Sequence, residues 1–157
     1  MITDEQYKED IKDILNDAIL ERNKTFALEF QHLNLQNYYY KTDEAVAELD
    51  IESEIIDELI EDYVKQIMDA ETQFINILNK LKHDQTLGNK LDFKELRELA
   101  HKNLGVARNL RIIDAQSFLT ILMKEDNLEA IQQALSALVL STVILKPEIA
   151  YNTMLNA

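Results

Sequence analysis

The chain contains no cysteine, one proline and two glycines in 157 residues. The first absence removes disulfides, thiolate nucleophiles and cysteine-ligated zinc or iron–sulfur centres together, leaving His and carboxylates as the available metal ligands. So little glycine and proline means few turns and long elements, which helices satisfy and sheets do not. Basic residues are also scarce: 16 Lys and Arg against 29 Asp and Glu give a formal net charge of −13. Neither nucleic acid nor an anionic membrane is expected as a partner, because both are held by basic footprints. Long apolar runs are missing too. Ala134 to Leu145 is interrupted by Ser136, Ser141 and Thr142 and is short of the ~20 residues that span a bilayer, so it reads as a buried helix. The start, Met1-Ile2-Thr3-Asp4-Glu5, is acidic where a signal or transit peptide is basic and then apolar, and a cytoplasmic location is expected.

What is present is helical periodicity. Tyr7, Ile11, Ile14, Leu15, Ala18 and Ile19 recur at helical spacing and predict a helix from Thr3, its N-cap, to about Leu20. Phe26, Phe30 and Leu33 suggest a short helix closed by Tyr38-Tyr39-Tyr40. The clearest seam is Ile56, Ile60, Tyr63, Ile67, Ala70, Phe74, Ile77 and Leu81, with steps of four and three, predicting a helix from about Asp50 to Lys82 and a loop from His83 to Asn89. Asp92 with Glu95 and Asp126 with Glu129 have capping-box spacing and open two further helices, with a shorter one over about Ala115 to Lys124 between them. Pro147 disfavours continuation of the last helix, and the tail has room for one more turn. The length suits a single soluble core, with a soft division near residue 48 between an N-terminal helical extension, 1–47, and a bundle, 48–157.

In the helix that starts near Phe93, the apolar residues lie on average roughly 140° around the axis from His101. His101 therefore faces solvent, sharing its side with Lys94, Arg97, Glu98, Gly105, Arg108 and Ile112. Between Phe93 and Ile112 five basic residues stand against two acidic ones, a local excess of +3 in a chain of −13, which suits an acidic partner. Gly105 is one of only two glycines, and inside a helix it costs about 0.5–1 kcal/mol relative to Ala. On the polar side and one turn after an exposed His, it implies close approach of another molecule to the backbone.

The run Asp92-Phe93-Lys94-Glu95-Leu96-Arg97-Glu98-Leu99-Ala100-His101-Lys102-Asn103-Leu104-Gly105-Val106-Ala107-Arg108-Asn109-Leu110 resembles the phosphoacceptor helix of histidine phosphotransfer domains. In that family a His is followed four positions later by Gly and often, eight positions later, by Asn, as are His101, Gly105 and Asn109. Leu59-Ile60-Glu61-Asp62-Tyr63-Val64 through Leu81 is similar to the family's preceding helix, and Asp126-Asn127-Leu128-Glu129 to the start of its last one. The resemblance covers roughly residues 48 to 145. It implies an all-α, antiparallel four-helix bundle acting as a phosphorelay intermediate, with His101 as acceptor and a response-regulator receiver domain or a sensor histidine kinase as partner. No intrinsic cofactor is implied, because the partner receiver brings the Mg²⁺. Around His101, Lys94, Arg97, Lys102 and Arg108 would support charge, Gly105 give clearance, Asn109 either make a polar surface contact or stabilise the helix, and Ile112 supply apolar contact. One departure stands out: Leu104 occupies the position, three after the acceptor, where the family usually has Lys. Arg97 and Arg108 are the candidates to replace that charge, and without a replacement the domain would bind a receiver without accepting phosphate.

Two other readings compete. Glu98 with His101 and Glu29 with His32 have the Glu-x-x-His spacing of di-iron bundles, but such ligands project into the core, and these pairs lie away from their apolar stripes. A non-catalytic helical adaptor would use the Tyr38–Tyr40 cluster or the N-terminal helix as an exposed aromatic surface, unless those tyrosines cover the end of the bundle. No Ser–His–Asp set, phosphate-binding glycine loop or isolated carboxylate pair points to an independent enzyme.

Overall fold

The computed structural model describes residues 2–156, and every regular element among them is helical. In chain order these are α1 (Asp4–Leu28), a 3₁₀ turn (Gln31–Leu33), α2 (Thr42–Leu49), α3 (Ser53–Thr86), α4 (Lys94–Asn109), α5 (Ile113–Lys124), α6 (Leu128–Leu145) and α7 (Pro147–Leu155). The all-α expectation holds.

Local chemistry explains most of the boundaries. Thr3 caps α1 as expected, its Oγ1 accepting from the Gln6 N–H at 3.1 Å, with Asp4 and Glu5 placed to favour the positive helix end. The helix then continues past Leu20 to Leu28. Its buried side runs Ala18, Arg22, Phe26, so the apolar pattern stops at Leu20 only because an arginine occupies the next core position. Phe26 therefore belongs to α1, and only the 3₁₀ turn remains of the short helix expected around Phe30 and Leu33. The long seam forms α3, displaced to Ser53–Thr86 and with Leu78 buried beside the expected Ile77 position. Asn127 caps α6, its side chain accepting from the Ala130 N–H at 3.0 Å. Asp126 was expected there, but its carboxylate is drawn away to Arg97. Pro147 does end α6, and it also starts α7 at the one helical position where a missing N–H costs nothing.

Helix α3 packs on α4, α4 on α5, α5 on α6, and α6 on α3, so these contacts close a ring. Helix α1 lies on α6 and α7, and α2 on α3. Helix α6 thus touches α1, α3, α5 and α7, which accounts for its largely apolar sequence, with Glu129, Gln132 and Ser136 left as an exposed polar stripe. By length and composition alone it could cross a membrane, and half of it is buried inside this fold. Residues before position 48 share the same core: Phe26 and Phe30 stack against Phe118 of α5 at 5.3 and 5.1 Å between ring centres. No break in the core falls at residue 48.

Candidate functional site

Helix α4 buries Leu96, Ala100, Leu104 and Ala107 and leaves the opposite side open. His101 is exposed, and Lys94, Glu98, Lys102, Gly105, Arg108 and Asn109 are exposed with it. A Cβ built on Gly105 would meet nothing within 4 Å. This glycine makes no packing contact that a methyl group would disturb, so its placement is not explained by the fold.

The end of α4 corrects the reading of Ile112, which is 1% exposed and part of the core. Counting at 100° per residue places it beside His101, but the helix has already stopped. Arg111 takes a left-handed backbone with φ 62°, the Arg111 N–H bonds the Arg108 carbonyl, and the Ile112 N–H bonds the Ala107 carbonyl. This is the usual left-handed helix stop, which turns the next residue inward. The chain puts arginine where such a stop favours glycine and keeps a glycine at 105, where the helix is disfavoured by it.

The basic character of the face is smaller than the sequence suggests. Arg97 donates to the Leu122 carbonyl at 2.7 Å, pairs with Asp126 at 2.9 Å and lies over the Phe93 ring. Arg111 pairs with Glu48 at 3.2 Å. Once those two carboxylates are counted, the local excess of +3 falls to +1. Lys94, Lys102 and Arg108 form no ion pair among the described residues. Leu104, at 2% exposure, occupies a core position where a lysine would have to bury its charge. Beyond Asn109, a cleft of about 470 Å³ opens between α3 and α4, its apolar lining including Leu49, Ile51, Leu59 and Val106.

A polar junction that the sequence reading missed closes the far end of α4. The Tyr40 hydroxyl donates to the Leu110 carbonyl at 2.9 Å, and the Tyr38 hydroxyl accepts from the Ile113 N–H at 2.9 Å. These tyrosines cover the end of the helices rather than forming an open aromatic patch, and Tyr39 alone of the three is exposed. Arg22, 1% exposed, lies between the Phe26 and Tyr39 rings and donates to the carbonyls of Leu35, Gln36 and Tyr38. Asp114 is buried at the start of α5; loss of solvent pushes its carboxyl up to about 6, against the opposing pull of the Ala115 N–H and the Arg22 charge. Burial also raises Tyr38 to about 12 and pushes up Tyr63, whose hydroxyl has no hydrogen-bond partner. A charged residue in an apolar slot, Arg22 between Ala18 and Phe26, was the one sequence signal for this junction. Nearer the candidate acceptor, buried Asn103 bridges the Leu99 carbonyl and the Gln66 side chain.

Glu98, His101, Glu29 and His32 are all exposed, so neither Glu-x-x-His pair projects into the core. No protein-family model, curated protein or solved structure matches the chain.

Proposed function

We propose that the protein is a phosphorelay intermediate in which His101 exchanges a phosphoryl group with receiver-domain aspartates, the kinase side being a sensor histidine kinase. The observation that carries this reading is the pairing of an exposed imidazole with a glycine one turn on, about 6 Å along the axis, whose surroundings are empty. A helix accepts that glycine at a cost, and unobstructed approach to the backbone beside His101 is what it provides.

The proposal takes α3 to α6 as an antiparallel four-helix bundle with α1 laid against it. The closed ring of contacts supports this arrangement. So do two links between α3 and α6: Asp57 near the start of one bonds Lys146 just beyond the end of the other, and Lys82 bonds Gln132 at the opposite ends. In the transfer step the lone-pair nitrogen of the neutral imidazole attacks phosphorus; the P–N bond forms as the P–O bond to the aspartate breaks, and the carboxylate leaves with the electron pair. No proton moves on the imidazole in that step. The Mg²⁺ and the acidic pocket belong to the receiver, and Lys94, Lys102 and Arg108 steer and support its charge. Apolar contact comes from the cleft beside Asn109 in place of buried Ile112. Such a relay operates in the cytoplasm.

Leu104 favours a second reading, a helical adaptor that binds a receiver without taking its phosphate. The usual lysine position is core, and Arg97 is held by Asp126. One experiment separates the two. The chain and its His101→Gln variant are incubated with a panel of phosphorylated receiver domains and examined by intact mass for an acid-labile adduct. Phosphate on the unaltered chain alone supports the relay. Binding that depends on the His101 face, with no adduct, supports the adaptor; absence of both across the panel overturns both.

A further inference from the structure

On the side of the molecule built by α1, α3 and α6, an open groove of about 510 Å³ runs between helices. Ile75 and Leu78 of α3 and Leu135, Val139 and Leu140 of α6 form its apolar lining, and Glu21 of α1 and Glu71 of α3 stand along it. Ile75 is 41% exposed, a large apolar side chain at the lip. On α3 the groove extends from Glu71 to Lys82, about three turns or ~16 Å, which is elongated rather than round. None of these residues belongs to the His101 face.

Lys82 bonds the neutral Gln132 side chain across the groove, and none of Lys82, Glu21 and Glu71 forms an ion pair among the described residues, which leaves two carboxylates against one ammonium along the lining. Glu71 is partly withdrawn from solvent, and that burial raises its pKa. A carboxylate desolvated beside apolar side chains and lacking a cation is complementary to one brought by a partner.

The recognition mode follows by elimination. Strand addition needs a sheet edge, and no strand exists among the described residues. Recognition of an extended proline-rich segment needs an aromatic-lined groove, and no aromatic residue lines this one. A groove with an apolar floor and helical walls takes an amphipathic helix, whose anchors at i, i+3 or i+4 and i+7 span ~10 Å and fit within three turns. From the shape and the two unpaired carboxylates we infer that this groove docks a basic amphipathic helix of another protein, its leucine-like face on Ile75, Leu135 and Val139 and its Lys or Arg residues against Glu21 and Glu71.

The test uses the full chain and a fluorescein-labelled 14-residue peptide of Leu and Lys, with leucines on one helical face, read by fluorescence anisotropy. Three variants are compared after circular dichroism has verified their folding: Ile75→Glu, Glu21→Lys with Glu71→Lys, and a control with the same charge change elsewhere, Glu9→Lys with Glu58→Lys. The inference expects at least tenfold weaker binding for each groove variant and less than threefold for the control, with a scrambled Leu/Lys peptide binding at least tenfold more weakly than the patterned one. Equal weakening by groove and control variants would mean diffuse attraction to an acidic protein and would overturn it. Sedimentation showing a dimer of this chain that Ile75→Glu dissociates would overturn it as well, by making a second copy the occupant.

Discussion

The open face of α4 and the closed junction just beyond its end handle charge in opposite ways. On the face, His101, Lys102 and Arg108 stand in solvent, and their substitution should alter what the protein meets rather than whether it folds. At the junction, Arg22 and Asp114 lie inside the protein, where their polar groups are matched by other parts of the chain. A residue's chemistry is available to a partner only where the fold does not depend on it.

The largest contrast should come from His101→Gln, which abolishes phosphoryl acceptance on the proposed reading yet changes unfolding free energy by less than about 0.5 kcal/mol, as exposed substitutions do. Urea denaturation beside the adduct assay checks this, and a substantial loss of stability would place His101 among the structural residues. Arg22→Met should do the reverse. It removes the donor to three backbone carbonyls and should cost about 2–4 kcal/mol, with the His101 face retained. A loss below about 1 kcal/mol in the same titration would show that the junction does not depend on this guanidinium.

Asp114 gives a pH signature. Its folded pKa is raised from 3.8 to about 6, so the stability it contributes is fully present below about pH 4 and is lost as pH rises through 6. Asp114→Asn should therefore exceed the parent by about 1–3 kcal/mol at pH 7.5, with the advantage shrinking as pH falls and reaching zero only below about pH 4. A difference that does not vary with pH would mean that the carboxyl is not desolvated. The smallest effect belongs to Gly105→Ala, which should stabilise the fold by about 0.5–1 kcal/mol, since the added methyl meets nothing. It should also slow phosphoryl transfer a fewfold by narrowing the approach to His101. Faster or unchanged transfer in a stopped-time assay would remove the clearance role from Gly105.

These two regions also differ in how far the sequence disclosed them. The exposure of His101, Lys94, Glu98, Gly105 and Arg108 was legible because it depends on one local period within one helix, where the apolar stripe fixes the opposite side. Ile112 was misread because that period was carried one turn beyond the helix, and the signal for the stop, a left-handed Arg111, sits on a residue that rarely adopts it. Arg97 was counted as free charge because its partner, Asp126, is distant in sequence and was assigned to a cap. The junction was illegible for the same reason on a larger scale: Tyr40 and Tyr38 find their partners 70 and 75 positions away along the chain. Helices α1, α3, α4 and α6 followed from periodicity, whereas α2, only eight residues long, was passed over.

Synthesis order gives the tyrosine strap a further consequence. Tyr40 emerges 70 residues before the Leu110 carbonyl that it binds, an interval of roughly 4–14 s at ordinary elongation rates of about 5–20 residues per second. Arg22 already has its carbonyl and ring partners by residue 39, but throughout that interval the Tyr38 and Tyr40 hydroxyls lack theirs, and the last turn of α4 is fastened only when this earlier segment meets it. The N-terminal segment is thus made first and locked late, and a nascent chain interrupted before residue 110 carries that segment unlatched.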